Sequence, residues 1–328
     1  MLTLEHVSKT YKVGAFGGGS LVAVREVDFT VAPGEVVSLI GESGSGKSTI
    51  GKMILRLISV NGGRILFDGT DISTLKGHEL NAYYRAVTGV FQDPFSSFNP
   101  VFKVSHVFDM LRGRFGGSVE GRTWDERVGE ALESVGLEGG QLLHKYPHQL
   151  SGGQLQRLLI ARALLLDTKM LVADEVISML DASTRIDVLN LLADLKGRGL
   201  GIMFITHDLS LGNYISEKTV ILRRGLIVEM GATSKVFGSP THPYTKMLLA
   251  SVPQLHRKWQ EIADELKMSE EDIVNLEAAS KQAFESVGEI LAPDAPDSVL
   301  TEIDKDHLVR FSPEEAKEKA KTPARKKA

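Results

Sequence analysis

GESGSGKST, residues Gly41–Thr49, follows directly on the apolar run EVVSLI at 35–40 and leads into a helical pattern at 49–57. A strand, a glycine-rich loop and a helix in that order make a phosphate cradle. Glycines at 41, 44 and 46 permit backbone conformations that turn successive N–H groups toward phosphate oxygens. Glu42, Ser43, Ser45 and Thr49 belong to the same nucleotide-binding loop. Lys47 is spaced to reach the β- and γ-phosphates, and Ser48 supplies a hydroxyl to Mg2+. The helix N-terminus beneath them adds favourable potential for anions. The reading is an α/β fold of the P-loop NTPase class that binds a nucleotide with Mg2+.

Residues further along complete a hydrolytic set. MLVADE, Met170–Glu175, ends an apolar strand in two acids. Asp174 suits Mg2+, and Glu175 suits a base that orients the attacking water, because phosphoryl transfer rests on positioning and electrostatics. His207, in FITHD, ends another apolar run and is expected to face the γ-phosphate. Gln92, in VFQDP, follows a third strand and is expected to contact Mg2+ and the water while sensing movement of the segment after it. Tyr11 is an aromatic for stacking on adenine, with a place in the core as the alternative.

LSGGQ, Leu150–Gln154, opens a helix running through QLQRLLIARALL. The N–H groups of Ser151, Gly152 and Gly153, with Gln154 beside them, suit a second anion-binding surface at that helix N-terminus. This surface and the P-loop belong to different subdomains, so one chain is not expected to fold it over its own nucleotide. A head-to-tail dimer with ATP sandwiched at each interface follows. SMLD, Ser178–Asp181, would cross that interface and bring Asp181 to the nucleotide.

The texture changes around this core. Residues 2–37 alternate as strands and form an N-terminal antiparallel β subdomain, with GAFGGGS (Gly14–Ser20) as a flexible loop. From about 93 to 160, apolar residues recur at helical spacing in VSHVFDMLRG and ERVGEALESVGL, which marks an inserted helical subdomain. KMLVADE, GIMFITHD and KTVILRRG then read as strands of a parallel sheet, with DVLNLLADLKGRG as a helix between the first two. After Pro253 the composition shifts to Glu, Asp, Lys and Ala. The division is an ATPase domain at 1–253 and a mainly helical C-terminal extension at 254–328. That extension holds amphipathic helices at 257–268 and 269–287, a strand-like HLVRF and a basic, flexible tail KEKAKTPARKKA.

Bulk composition narrows the partners. A net charge of -4 over 328 residues gives no reason to expect nucleic acid. The absence of cysteine excludes disulfides, thiolate zinc sites and cysteine-held iron–sulfur clusters. No segment approaches the roughly 20 apolar residues of a membrane-spanning helix. MLTLEHVSK at the start lacks the pattern of a secretory signal, so a cytoplasmic location is expected. Work at a membrane would need other chains to supply the membrane part.

The assembled motifs identify a resemblance. LSGGQ beside a P-loop resembles the signature of ABC ATPases, and residues 1–253 look like the nucleotide-binding subunit of an ABC importer of the oligopeptide/dipeptide family. FQDPFSSFNP (Phe91–Pro100), KYPHQLSGGQ (Lys145–Gln154) and above all HPYTKMLLASVP (His242–Pro253) carry that resemblance. It implies a peripheral subunit on the cytoplasmic face of the membrane. There it would pair with a second ABC ATPase, the same or different, beneath two permease subunits fed by an external solute-binding protein. The implied cargo is oligopeptides or dipeptides, with oligosaccharides or nickel as the alternative.

Three departures stand out. Val176 takes the place of the usual proline after the catalytic glutamate, which is expected to loosen the turn carrying Glu175. HLVRF resembles the end of a cysteine cluster found in some relatives, yet Phe311 stands where a cysteine would be. The extension is also too short and too helical for the β-rich regulatory domain of maltose-type importers. A soluble ABC ATPase acting on DNA or ribosomes is the competing class, but the chain has neither a second cassette nor a long coiled-coil insertion. An exporter motor is disfavoured by KYPHQ before the signature.

Overall fold

Strand β1 (Leu2–Val13) alternates buried and more exposed residues, the mark of a sheet with one face on the core. With β2 (Gly19–Val31), β4 (Gly62–Phe67) and β5 (Thr70–Asp71) it forms the expected antiparallel sheet, in the order β2-β1-β4-β5. The structure, a computed structural model, describes residues 1–13, 19–115, 123–251 and 298–321. Most of the glycine-rich loop after β1 therefore lies outside the described residues, and Gly19 and Ser20 already belong to β2.

A second sheet carries the apolar runs. It comprises β3 (Val36–Ile40), β6 (Val87–Val90), β7 (Met170–Asp174), β8 (Gly201–Thr206), β9 (Lys218–Arg223), β10 (Leu226–Ala232), β11 (Val299–Asp304) and β12 (His307–Phe311). Their order is β11-β12-β10-β9-β3-β8-β7-β6. From β9 through β6 neighbouring strands are parallel, and β3, β6, β7 and β8 are buried along their whole length. That is why they read as continuous apolar runs rather than alternating ones.

Helix α1 (Lys47–Ile54) leaves the P-loop and buries Ile50, Met53 and Ile54. It comes so close to the sheet that a Cβ on Gly51 would stand 3.1 Å from Ile205 Cδ1. Helix α2 (Gly77–Ala86) precedes β6. The helical region is α3 (Ser105–Phe115), α4 (Trp124–Ser134), α5 (Gly139–Leu142) and α6 (Gly152–Leu164). A capping box starts α4: Thr123 Oγ1 accepts from the Glu126 N–H at 3.3 Å, and Glu126 Oε2 accepts from the Thr123 N–H at 2.7 Å. Such a cap stabilises a helix by ~1 kcal/mol. Phe108, Trp124, Leu132, Leu155 and Leu158 pack into one apolar cluster with Leu171, Ile202 and Phe204 of the sheet. Arg162 of α6 donates to the Gly89 carbonyl at 3.2 Å and so ties α6 to β6.

Helices α7 (Ala182–Gly197), α8 (Leu209–Ile215), α9 (Thr233–Gly238) and α10 (Pro243–Ala250) follow. The two amphipathic helices read at 257–268 and 269–287 lie outside the described residues. Beyond them, the extension adds a hairpin to the core sheet instead of standing apart. HLVRF is β12 and pairs antiparallel with β10, while β11, not foreseen, forms the sheet edge. A short helix α11 (Pro313–Lys321) occupies the start of the tail read as flexible. Ser312 and Glu315 explain it by bonding reciprocally as a capping box, at 3.0 Å and 3.4 Å.

A buried acid fastens this hairpin. Glu229 in β10 is fully buried, and its Oε1 lies 2.7 Å from Nε2 of the buried His307 in β12. The same carboxylate accepts from the Thr241 N–H at 2.9 Å and the His242 N–H at 3.0 Å. Removing one partner of a buried ionisable cluster strands the others without solvent. We expect Glu229→Ala to cost about 3 kcal/mol or more, read as a lower urea midpoint; an unchanged midpoint would show that the cluster holds nothing together.

Candidate active site

The register of the parallel strands aligns their ends. Ile40 stands opposite Thr206, and Asp174 opposite Ile205, so Gly41, Glu175 and His207 emerge side by side at one edge of the sheet. Apolar burial of β3, β7 and β8 leaves little freedom to slip that register.

The P-loop follows β3 at this edge. Gly44 and Gly46 have φ of 79° and 107°, and a Cβ on Gly41 would lie 2.1 Å from the Leu222 carbonyl oxygen. Glycine is required at the first two by conformation and at the third by close approach. Lys47 is buried, and its Nζ donates to the carbonyls of Gly41 and Glu42 at 2.7 Å each and to Ser45 Oγ at 3.4 Å. Burial pulls its ammonium below the ordinary lysine range, against the opposing charges of Glu175, Asp174 and Glu42. Ser43 and Ser48 are exposed, and Thr49 lies in the first turn of α1.

Ser48 Oγ donates to Asp174 Oδ1 at 3.3 Å, so the two expected Mg2+ donors are neighbours. Burial lifts the Asp174 carboxyl above the ordinary aspartate range, with the Ser48 hydrogen bond acting the other way. Next to it, Glu175 has φ of 51°, in the left-handed region. Its N–H donates to the Ile205 carbonyl at 2.9 Å, and its own carbonyl accepts from the Ser178 N–H and Oγ at 3.1 Å and 2.9 Å. Val176 is 2 % exposed and sits in the apolar core. Three hydrogen bonds and a buried valine thus surround the turn that carries Glu175. His207 Nδ1 lies 3.1 Å from Glu175 Oε1, which joins the two catalytic candidates directly.

The remaining candidates are spread more widely. Gln92 is exposed just beyond β6. Tyr11 pairs with Leu21 across β1 and β2, two residues from Ala23, whose carbonyl oxygen would stand 2.4 Å from a Cβ on Gly46. That places the Tyr11 segment beside the P-loop. Ser151 caps α6: its Oγ accepts from the Gln154 N–H at 3.2 Å, and Gln154 Oε1 accepts from the Ser151 N–H at 3.1 Å. Gly152 begins the helix, and Gly153 packs so tightly that a Cβ would meet Thr184 Cγ2 at 2.4 Å. Asp181 is exposed and caps α7, accepting from the Thr184 N–H at 3.0 Å and from the hydroxyls of Ser183 and Thr184 at 2.6 Å and 2.7 Å. Those bonds hold its carboxyl well below the usual range.

Two neighbours of the site were not read from the sequence. Thr184 links the signature glycine to Asp181, and only the packing of α6 on α7 reveals it. Tyr244, noted only inside the HPYTK marker, accepts from the Glu42 N–H of the P-loop at 3.2 Å.

Comparison with known proteins bears on the family and the fold. The ABC transporter family pattern matches residues 24–178, and the pattern for the C-terminal region of oligopeptide/dipeptide transporters matches 228–278. A Brucella ovis protein named as a peptide import ATP-binding protein is 40% identical over 255 residues, covering 77% of this chain and 78% of that one. The glutathione import ATP-binding protein GsiA of Escherichia coli is 44% identical over 233 residues, covering 70% of this chain and 37% of GsiA. Among solved structures, the dimeric ATP-binding cassette MJ0796 in a post-hydrolysis state with ADP and Pi aligns with a TM-score of 0.62 at 30% identity, covering 71% of this chain and 99% of that one. CbiO1 of Clostridium perfringens, part of the ABC transporter complex cbiONQ, aligns at 0.61 and 26% identity, covering 72% of this chain and 90% of that one. With the phosphate loop, the paired acids, the histidine and the capped signature helix all in place, this chain belongs to the ABC transporter ATPases, in the oligopeptide/dipeptide transporter family.

Proposed function

We propose that the chain hydrolyses MgATP at the shared edge of β3, β7 and β8 and thereby drives import of peptides. The observation that carries the reading is the 3.1 Å contact of His207 with Glu175, beside the Ser48–Asp174 pair and Lys47. Lys47, with three N–H donors, keeps the Gly41 carbonyl and turns its remaining donors to the β- and γ-phosphates. Ser48 and Asp174, hard oxygen donors 3.3 Å apart, are suited to share Mg2+ with the phosphates. The ion supplies charge neutralisation during phosphoryl transfer. Glu175 orients and deprotonates water, His207 holds Glu175 and faces the γ-phosphate, and Gln92 reports the occupied site to the helical region. Tyr11 stacks on adenine.

The signature residues Ser151–Gln154, with Asp181 at the adjoining turn, face the nucleotide of a second cassette, the same chain or a different one. Residues 1–253 are the ATPase domain and 254–328 an extension whose hairpin rests on it. We place the subunit at the cytoplasmic face of the membrane under two permeases, with an external solute-binding protein delivering cargo. Among the described residues no helix is long and apolar enough to cross a membrane. Exposed Phe95, Val101, Phe102 and Met110, between β6 and the end of α3, offer an apolar surface for a permease. Relatives named for peptides and for glutathione, itself a tripeptide, favour a peptide cargo over oligosaccharide or nickel. The net charge of -4 argues against a nucleic-acid role.

Three outcomes are expected. Glu175→Gln lowers turnover ~100-fold or more and accumulates an ATP-bound dimer on size exclusion; normal turnover would remove Glu175 from the role of base. Chelating Mg2+ abolishes hydrolysis while calorimetry still detects ATP binding, and hydrolysis that persists in chelator would remove the metal. Phe102→Glu leaves ATP binding intact but loses co-purifying permeases from native membranes, whereas undiminished recovery would place the permease surface elsewhere.

A further inference from the structure

The HPYTK segment marks the family, yet the hydrolytic roles assigned above leave it without a task. Its geometry supplies one. Tyr244 is fully buried among Ile40, Leu209, Ile221 and Val228, and its ring centroid lies 5.4 Å from the Arg223 guanidinium. A phenylalanine would fill the same apolar space, so the hydroxyl answers a different need. Its Oη accepts from the Glu42 N–H at 3.2 Å. That N–H belongs to the same planar peptide as the Gly41 carbonyl, which accepts from Lys47 Nζ at 2.7 Å. Tyrosine and lysine therefore grip the two ends of one peptide unit.

The tyrosine is itself rigidly placed. His242 caps α10, its Nδ1 accepting from the Tyr244 N–H at 3.1 Å. The backbone N–H groups of Thr241 and His242 are anchored on Glu229, as described above. No rotatable surface side chain intervenes between the β10 core and the P-loop. We propose that Tyr244 is a positioning residue for nucleotide binding, fixing the Gly41–Glu42 peptide so that its carbonyl aims Lys47 at the phosphates. The inference rests on Lys47 being the phosphate-binding lysine. Without the hydroxyl the peptide is free to tilt, and the lysine is held in a range of directions rather than one.

A double-mutant cycle on the full-length chain tests this, with ATP itself titrated by calorimetry into the unmodified protein, Tyr244→Phe, Lys47→Ala and the double variant. Loss of the single hydrogen bond should weaken ATP binding about fivefold in the Lys47 background. It should have no further effect once Lys47 is alanine, because nothing remains to be aimed. An equal loss in both backgrounds would make Tyr244 a general structural residue and overturn the proposal, as would unchanged affinity in Tyr244→Phe alone. Unchanged affinity in Lys47→Ala would overturn the lysine assignment first, and this inference with it.

Discussion

Everything at the site depends on the parallel backbone pairing of β3 with β8 and of β8 with β7. Each strand is buried throughout, so a slip in register would break a backbone ladder that no water can replace. The pairing of Ile40 with Thr206 and of Asp174 with Ile205 sets three loops at one level. The P-loop, the acidic pair and the histidine come from positions far apart in the chain, and backbone register alone makes them neighbours.

Strain and burial at that edge are balanced locally. A left-handed residue other than glycine costs about 1–3 kcal/mol, and Glu175 takes that conformation with its N–H and carbonyl both bonded. Val176, where relatives would carry proline, is buried in the apolar core beside this turn. Lys47 and Asp174 are both partly stripped of water, and each lowers the cost for the other through opposite charge. A site held this way has its charges oriented before substrate arrives, which is what phosphoryl transfer requires.

Local motifs made much of this legible. GESGSGKST, MLVADE and FITHD each place a functional group at the end of an apolar run, and buried parallel strands are read from such runs directly. The Asp181 cap is also legible, since an aspartate before ASTR is a helix start signal. What escaped was long-range. Tyr244 and Glu42 lie 202 residues apart, and no periodicity links them. Strand β11 is short, charged and half-exposed, so its pattern VLTEID carries little strand signal until β12 is beside it. Gly153 against Thr184 depends on how closely α6 approaches α7, a matter of packing that glycine spacing alone does not express.

The central claim is that register on three strands builds one phosphate-binding edge completed by a second cassette. A crystal structure of the full chain with a non-hydrolysable ATP analogue and Mg2+ tests it most directly. The account predicts Lys47 Nζ on the β- and γ-phosphates, the metal between Ser48 and Asp174, the Glu175–His207 pair beside the γ-phosphate, and Ser151 of a second copy or partner cassette closing the other side. Nucleotide bound away from the ends of β3, β7 and β8, or Lys47 still on its loop carbonyls with phosphates elsewhere, would contradict it.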